Sequence, residues 1–79
     1  MPKNIPSLKP KELIRLLELG GCIFYREGKG DHKLYLRYHE GKKRVVPIDV
    51  GAGELSPPYV LRIFRQFGFT DEEIESLLR

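Results

Sequence analysis

Few side chains in this 79-residue sequence are placed to do chemistry, and His32 heads them. It stands in GKGDHKLYLRY, residues 28–38, where a glycine-spaced loop gives way to a strand-like alternation. An imidazole changes charge near neutrality, so one ring can accept a proton and later return it. Phosphodiester cleavage by an internal 2′-hydroxyl requires that exchange. Lys29 and Lys33 flank the histidine and are suited to hold a scissile phosphate and favour the extra negative charge of a pentacovalent transition state. Strict alternation argues the other way. His32 shares parity with Leu34 and Leu36, so a strand starting at Asp31 turns the ring toward the core. On the residues alone, His32 is either a catalyst or a rim histidine.

The other candidates are weaker. Cys22 lies in the apolar run CIFY and reads as a buried structural thiol. Ser7, Ser56 and Ser76 read as turn, cap and surface residues, and His39 as a surface residue in a turn. The two histidines stand seven positions apart with Asp31 and Glu40 beside them, a spacing that fits no metal-ligand pattern. No metal or other cofactor is expected. GKG is not a phosphate-cradling loop, because no helix follows to present its N-terminus.

Charge indicates a partner class. The net charge is +3, but residues 71–79 hold four acids against Arg79, which leaves +6 on residues 1–70. Lys29, Lys33, Arg37, Lys42, Lys43 and Arg44 form the densest basic segment. A polyanion is the natural partner, with a charge-rich solvated surface as the plain alternative. At 79 residues and 41% hydrophobic content the chain supports one domain, residues 1–79, with one core and no deep cleft. No apolar run has membrane-spanning length, and the polar, proline-broken start MPKNIPSLK has no signal-peptide character. With a lone cysteine, a reducing cytoplasm is the expected compartment.

These residues need elements to hold them. Pro10 suits a first helical turn, Leu13, Leu16 and Leu17 share one face, and Gly20 and Gly21 end the helix. CIFYRE, residues 22–27, reads as a strand. Leu34, Leu36 and Tyr38 then alternate with Lys33, Tyr35 and Arg37, the period of a half-buried antiparallel strand. HEGK is a turn, and KRVVPID a third strand that Pro47 places at an edge or at its end. Ser56 and Pro57 can open a helix carrying Val60, Ile63, Phe64 and Phe67 as an apolar stripe, which Gly68 stops. Thr70 with Glu73 signals a capping box for a last helix with Ile74, Leu77 and Leu78. The order α-β-β-β-α-α predicts an α+β fold, a three-stranded antiparallel sheet with helices on one face.

Several of these segments carry a family likeness. SLKPKELIRLLELGG, the Gly30 to His32 motif, KRVVPI and GELSPPYVLRIFRQFGFTDEEI together resemble the HicA family of toxins from bacterial and archaeal toxin–antitoxin modules, from about Leu8 to Leu78. The most specific parts are Gly30 with His32, and Gly53, Glu54 and Leu55 followed by Leu61, Arg62, Ile63, Arg65 and Gln66. The resemblance implies a double-stranded-RNA-binding-domain-like fold. It also implies a metal-free endoribonuclease that cuts messenger RNA until a HicB antitoxin neutralises it in a heteromeric complex. The family's catalytic histidine falls on His32 and its flanking glycine on Gly30. Asp31 and Lys33 stand where the family usually has serine and often a second histidine. Asp49 stands where a histidine often follows the proline of the third strand. An acid beside the imidazole can orient it or raise its pKa, but it also puts negative charge near an RNA phosphate.

On this reading RNA lies across the exposed sheet face and adjoining loops. Lys29, Gly30, Lys33, Arg37, Lys42, Lys43 and Arg44 are the expected RNA contacts. Tyr35, taken as outward by parity, either stacks a base or packs across strands. The alternative function is a non-catalytic RNA-binding module of the same fold. A third is an interaction domain whose basic sheet receives an acidic antitoxin.

Overall fold

The computed structural model describes residues 4–79. The first three residues of the polar start lie outside the described residues. The first helix, α1, covers Pro10–Leu19, with Pro10 in its first turn. The Glu12 carboxylate accepts the Lys9 N–H at 2.9 Å, satisfying a donor near the helix start. Leu13 and Leu17 are fully buried, and Leu16 is half-buried. Gly21 ends the turn in the left-handed region, with φ 97°. Gly20 is needed for another reason: a Cβ there would stand 2.6 Å from the Phe69 ring.

Three antiparallel strands follow as a meander in the order β1 (Ile23–Glu27), β2 (His32–His39) and β3 (Lys42–Asp49). Glu40 and Gly41, at φ 52° and 75°, form the two-residue link between β2 and β3, the geometry that matches strand twist. This turn sets His39 opposite Lys42 and, at the far end, His32 opposite Asp49. Pro47 lies on an edge strand, as its missing donor predicts.

Helix α2 covers Pro57–Gln66 and α3 covers Asp71–Leu78. The expected stripe holds: Val60, Ile63, Phe64 and Phe67 are all buried. Ser56 occupies the cap position of α2 but makes no side-chain cap bond, a correction to its expected role. Pro57 and Pro58 open the helix without N–H groups, so two of the donors a cap normally serves do not exist. At α3 the capping box is complete, with Thr70 N–H to Glu73 Oε1 at 2.8 Å and Glu73 N–H to Thr70 Oγ1 at 3.1 Å. A two-bond bridge between Leu8 and Leu55 ties the entry of α1 to the approach of α2.

The sheet's faces are reversed relative to the sequence expectation. Tyr35, Val46 and Ile48 join the helices' leucines and phenylalanines in one core. Lys33, Tyr35 and Arg37 therefore sit on the helix side, while His32, Leu34, Leu36 and Tyr38 line the face without helices. Alternation in β2 is ambiguous because both sides carry large apolar groups. The pattern of β3 resolves it: Val46 and Ile48 are the core pair, and the two-residue turn sets them opposite Tyr35 and Lys33. The architecture is an α+β fold with an open sheet, ordered α-β-β-β-α-α. Among the described residues, no helix is long and apolar enough to cross a membrane.

Candidate active site

The loop before His32 is built by its glycines. Gly30 takes φ 58°, where a Cβ would strain the backbone. The His32 N–H donates to the Lys29 carbonyl at 3.1 Å, and the Gly28 N–H to the His32 carbonyl at 2.8 Å. A Cβ at Gly28 would press on the His32 Cβ and carbonyl oxygen at 3.2 Å, so any side chain there shifts the histidine. The result is a tight loop that delivers His32, exposed, to the helix-free face. Its parity matches Leu34 and Leu36 as expected, but that side is open rather than core.

The imidazole has one fixed contact. Nδ1 lies 3.2 Å from the Lys29 carbonyl oxygen. A carbonyl only accepts, so this bond places the proton on Nδ1 and leaves the Nε2 lone pair free. Asp31 does not supply the orientation that its neighbouring position suggested. Its carboxylate packs over Gly51, where a Cβ would overlap it. The carboxylate opposite His32 is instead that of Asp49. Val50 N–H donates to the Asp31 carbonyl at 2.8 Å, which makes His32 and Asp49 a non-hydrogen-bonded pair, the closer of the two kinds, with Cα atoms about 4.5 Å apart. Asp49 Oδ1 accepts the Gly51 N–H at 2.9 Å.

The expected basic contacts divide. Lys29 is exposed in the histidine loop, Lys42 is exposed at the hairpin end, and Lys43 lies on the open face. Lys33 projects to the helix side beside Pro10, Lys11 and Ile14 of α1, 4.0 Å from Glu27. Arg37 is not a surface cation: its side chain is 12% exposed. Nη1 donates to the Phe67 carbonyl at 2.8 Å, and the guanidinium stacks 3.9 Å from the Phe69 ring centroid. Arg44 reaches the Gln66 carbonyl at 3.5 Å and packs against Gly68. Both arginines serve the end of α2.

Tyr35 is also corrected. It is 7% exposed on the helix side, edge-on to Phe24 at 5.6 Å, and cannot offer its face to a base. Gly30 acts through its backbone conformation. Sequence reasoning missed Tyr25, Arg26 and Tyr38. A bulge between Phe24 and Arg26 shifts the register of β1, so simple alternation could not place Tyr25. The Tyr25 ring has the Lys43 Nζ 4.9 Å and the Arg26 guanidinium 5.8 Å from its centroid.

Cys22 is the buried free thiol expected. Burial pushes its pKa up to about 12, against a smaller lowering by Arg37. Among the described residues, no group of three or more His, Cys, Asp or Glu side chains could hold a metal ion.

The structure is thus an α+β fold with an open three-stranded sheet and His32 exposed at the start of β2. A family model described as the HicA toxin of bacterial toxin–antitoxin matches residues 10–69. The chain belongs to the HicA toxin family, and is thus the toxin half of a module that includes an antitoxin. No curated protein matches it closely.

Proposed function

We propose that this toxin is a metal-independent endoribonuclease in which His32 performs the proton transfers, restrained in turn by a HicB-type antitoxin. The observation that carries the reading is the exposed His32 ring on the helix-free face, held through Nδ1 so that Nε2 is the nitrogen left to accept a proton.

Nε2 takes the proton of a ribose 2′-hydroxyl as its oxygen attacks the adjacent phosphorus. The bond from phosphorus to the 5′-oxygen then breaks, and that oxygen leaves with a proton from the imidazolium or from water. The products are a 2′,3′-cyclic phosphate and a 5′-hydroxyl. Lys29, exposed in the same loop, is the cation left to offset charge on the phosphate, since the adjacent Lys33 projects to the helix side. A general acid–base group contributes roughly 10² to 10⁴ in rate, and the lysine and the rigid loop supply electrostatic stabilisation and positioning.

The test is antitoxin-free protein on single-stranded RNA with a chelator present. Cleavage leaving cyclic phosphate ends, lost in His32→Ala, supports the reading. Intact RNA, or undiminished cutting by His32→Ala, refutes it; salt-sensitive binding without cutting would identify a binding module instead.

A further inference from the structure

The helix-free face carries more than the histidine. Its strand positions present Ile23, Tyr25, Tyr38 and Val45 as exposed large apolar groups, with Tyr38 69% exposed. Leu36, at the centre of the same face, is only 6% exposed. Lys43 on β3 and Tyr25 on β1 meet across the middle strand, and their side chains cover it. The strand positions of this face hold Arg26, Lys43 and His32 against one carboxylate, Asp49, which is engaged by Gly51.

We infer that this face is a stacking platform for an unpaired RNA segment, with Tyr25 and Tyr38 receiving bases and Arg26 and Lys43 receiving phosphates. The inference rests on the endoribonuclease reading for the chemistry at His32, and adds the form of RNA that reaches it. Two exposed rings beside cations suit single-stranded nucleic acid, whose base faces are free and whose backbone is anionic. A duplex hides its base faces and offers phosphates and 2′-hydroxyls, for which a platform of Ile23, Val45 and tyrosine rings has no complement. An acidic protein would also meet the cations, but would not need two exposed aromatic rings.

Distance along the strand sets the footprint. His32 and Tyr38 are six residues apart in β2, or about 20 Å. That spans about six nucleotides at a stacked spacing of ~3.4 Å, and fewer if the strand is extended. Tyr25 lies between them, where the bulge sets Arg26 opposite Leu34.

The experiment measures binding in the His32→Ala background, which is silent in cleavage, by fluorescence anisotropy with a labelled 12-nucleotide unstructured RNA and with the same strand annealed to its complement. The single strand is expected to bind more tightly. Tyr38→Ala and Tyr25→Ala should each weaken it about 5- to 150-fold, the range for one lost stacked base, while Tyr38→Phe keeps the affinity. Circular dichroism confirms folding, and the exposure of Tyr38 leaves the core untouched. Equal binding of duplex and single strand, or unchanged affinity in both alanine variants, overturns the inference. So does a result in which those variants bind RNA normally but lose the co-expressed antitoxin, since the face is then a protein-docking surface. Failure of wild-type protein to cleave would refute the endoribonuclease reading while leaving these affinities to judge the platform.

Discussion

Arg37 and Arg44 stand opposite each other across β2 and β3, and both direct their guanidinium groups at carbonyls that close α2, those of Phe67 and Gln66. Two positive charges at the negative end of a helix dipole are favourable, and the sheet thereby holds the helix end through backbone acceptors. Arg37→Ala should cost about 2–4 kcal/mol, because it orphans a carbonyl and removes a stacked cation together. Arg37→Lys should recover only part of this, lacking the planar fork. Urea denaturation measures the loss, and RNA affinity of the folded fraction should be unchanged.

The assignment of faces makes a sharp contrast between two tyrosines on one strand. Tyr35→Ala empties a core position and should cost about 3–5 kcal/mol. Tyr38→Ala should change stability by less than about 0.5 kcal/mol. Comparable denaturation midpoints for the two variants would contradict the structure.

Gly28 and Gly30 set the position of the imidazole. Gly28→Ala presses a methyl group against His32, and Gly30→Ala strains the turn by roughly 1 kcal/mol. Both should retain the fold, shown by circular dichroism, while Gly28→Ala lowers kcat/KM about tenfold or more through displacement of the ring. Steady-state cleavage of a short fluorogenic RNA gives the comparison.

Glu73 links the last helix to acid stability. The Thr70 backbone N–H holds its carboxyl below the ordinary value of 4.5, desolvation opposes this, and the Arg37 guanidinium and Thr70 hydroxyl add to the lowering. Folding therefore favours the ionised form. The resulting stability is fully present above the ordinary value and is lost as pH falls through the lowered one. Tm measured against pH should fall on the acid side for wild type and fall less steeply for Glu73→Gln. Thr70→Ala should cost about 1 kcal/mol at neutral pH.

Cys22 should be inert in the native protein. A thiol that is buried, with its pKa raised to about 12, presents almost no thiolate at neutral pH. Labelling by a disulfide reagent should be slow without denaturant and should track unfolding when urea is added. Rapid stoichiometric labelling of the folded protein would contradict its burial.

The elements were legible because their punctuation is local. Pro10, the pair Gly20 and Gly21, Gly68, and the Thr70–Glu73 box each act within a few residues, so helix limits follow from chemistry that a sequence displays. The fate of a side chain crossing the sheet is not local. Arg37 looks like any surface cation until Phe67 and Phe69, some thirty residues later, arrive above it. Tyr35 and Tyr38 differ only in parity, and the parity depended on the register that Glu40 and Gly41 impose on β3. His32 is a candidate on its residue type and its family motif, and the structure adds that it is exposed. The cations around Tyr25 were hidden by a bulge that alternation does not encode.

The edges of the sheet have a consequence for assembly. In the pairing that joins His32 to Asp49, the backbone groups of Pro47 and Asp49 point outward from β3. Pro47 has no N–H to offer, and the Asp49 N–H is directed to the Tyr59 hydroxyl at 3.3 Å. The bulge in β1 interrupts the opposite border. A foreign strand seeking to extend β3 therefore meets missing or occupied donors along its second half, and the outward N–H groups of Lys43 and Val45, nearer the hairpin, are what remains to template pairing. Two copies of the toxin have only that short stretch of template for fusing into a continuous ribbon, and the broad face on which the His32 ring stands is the larger surface open to a partner.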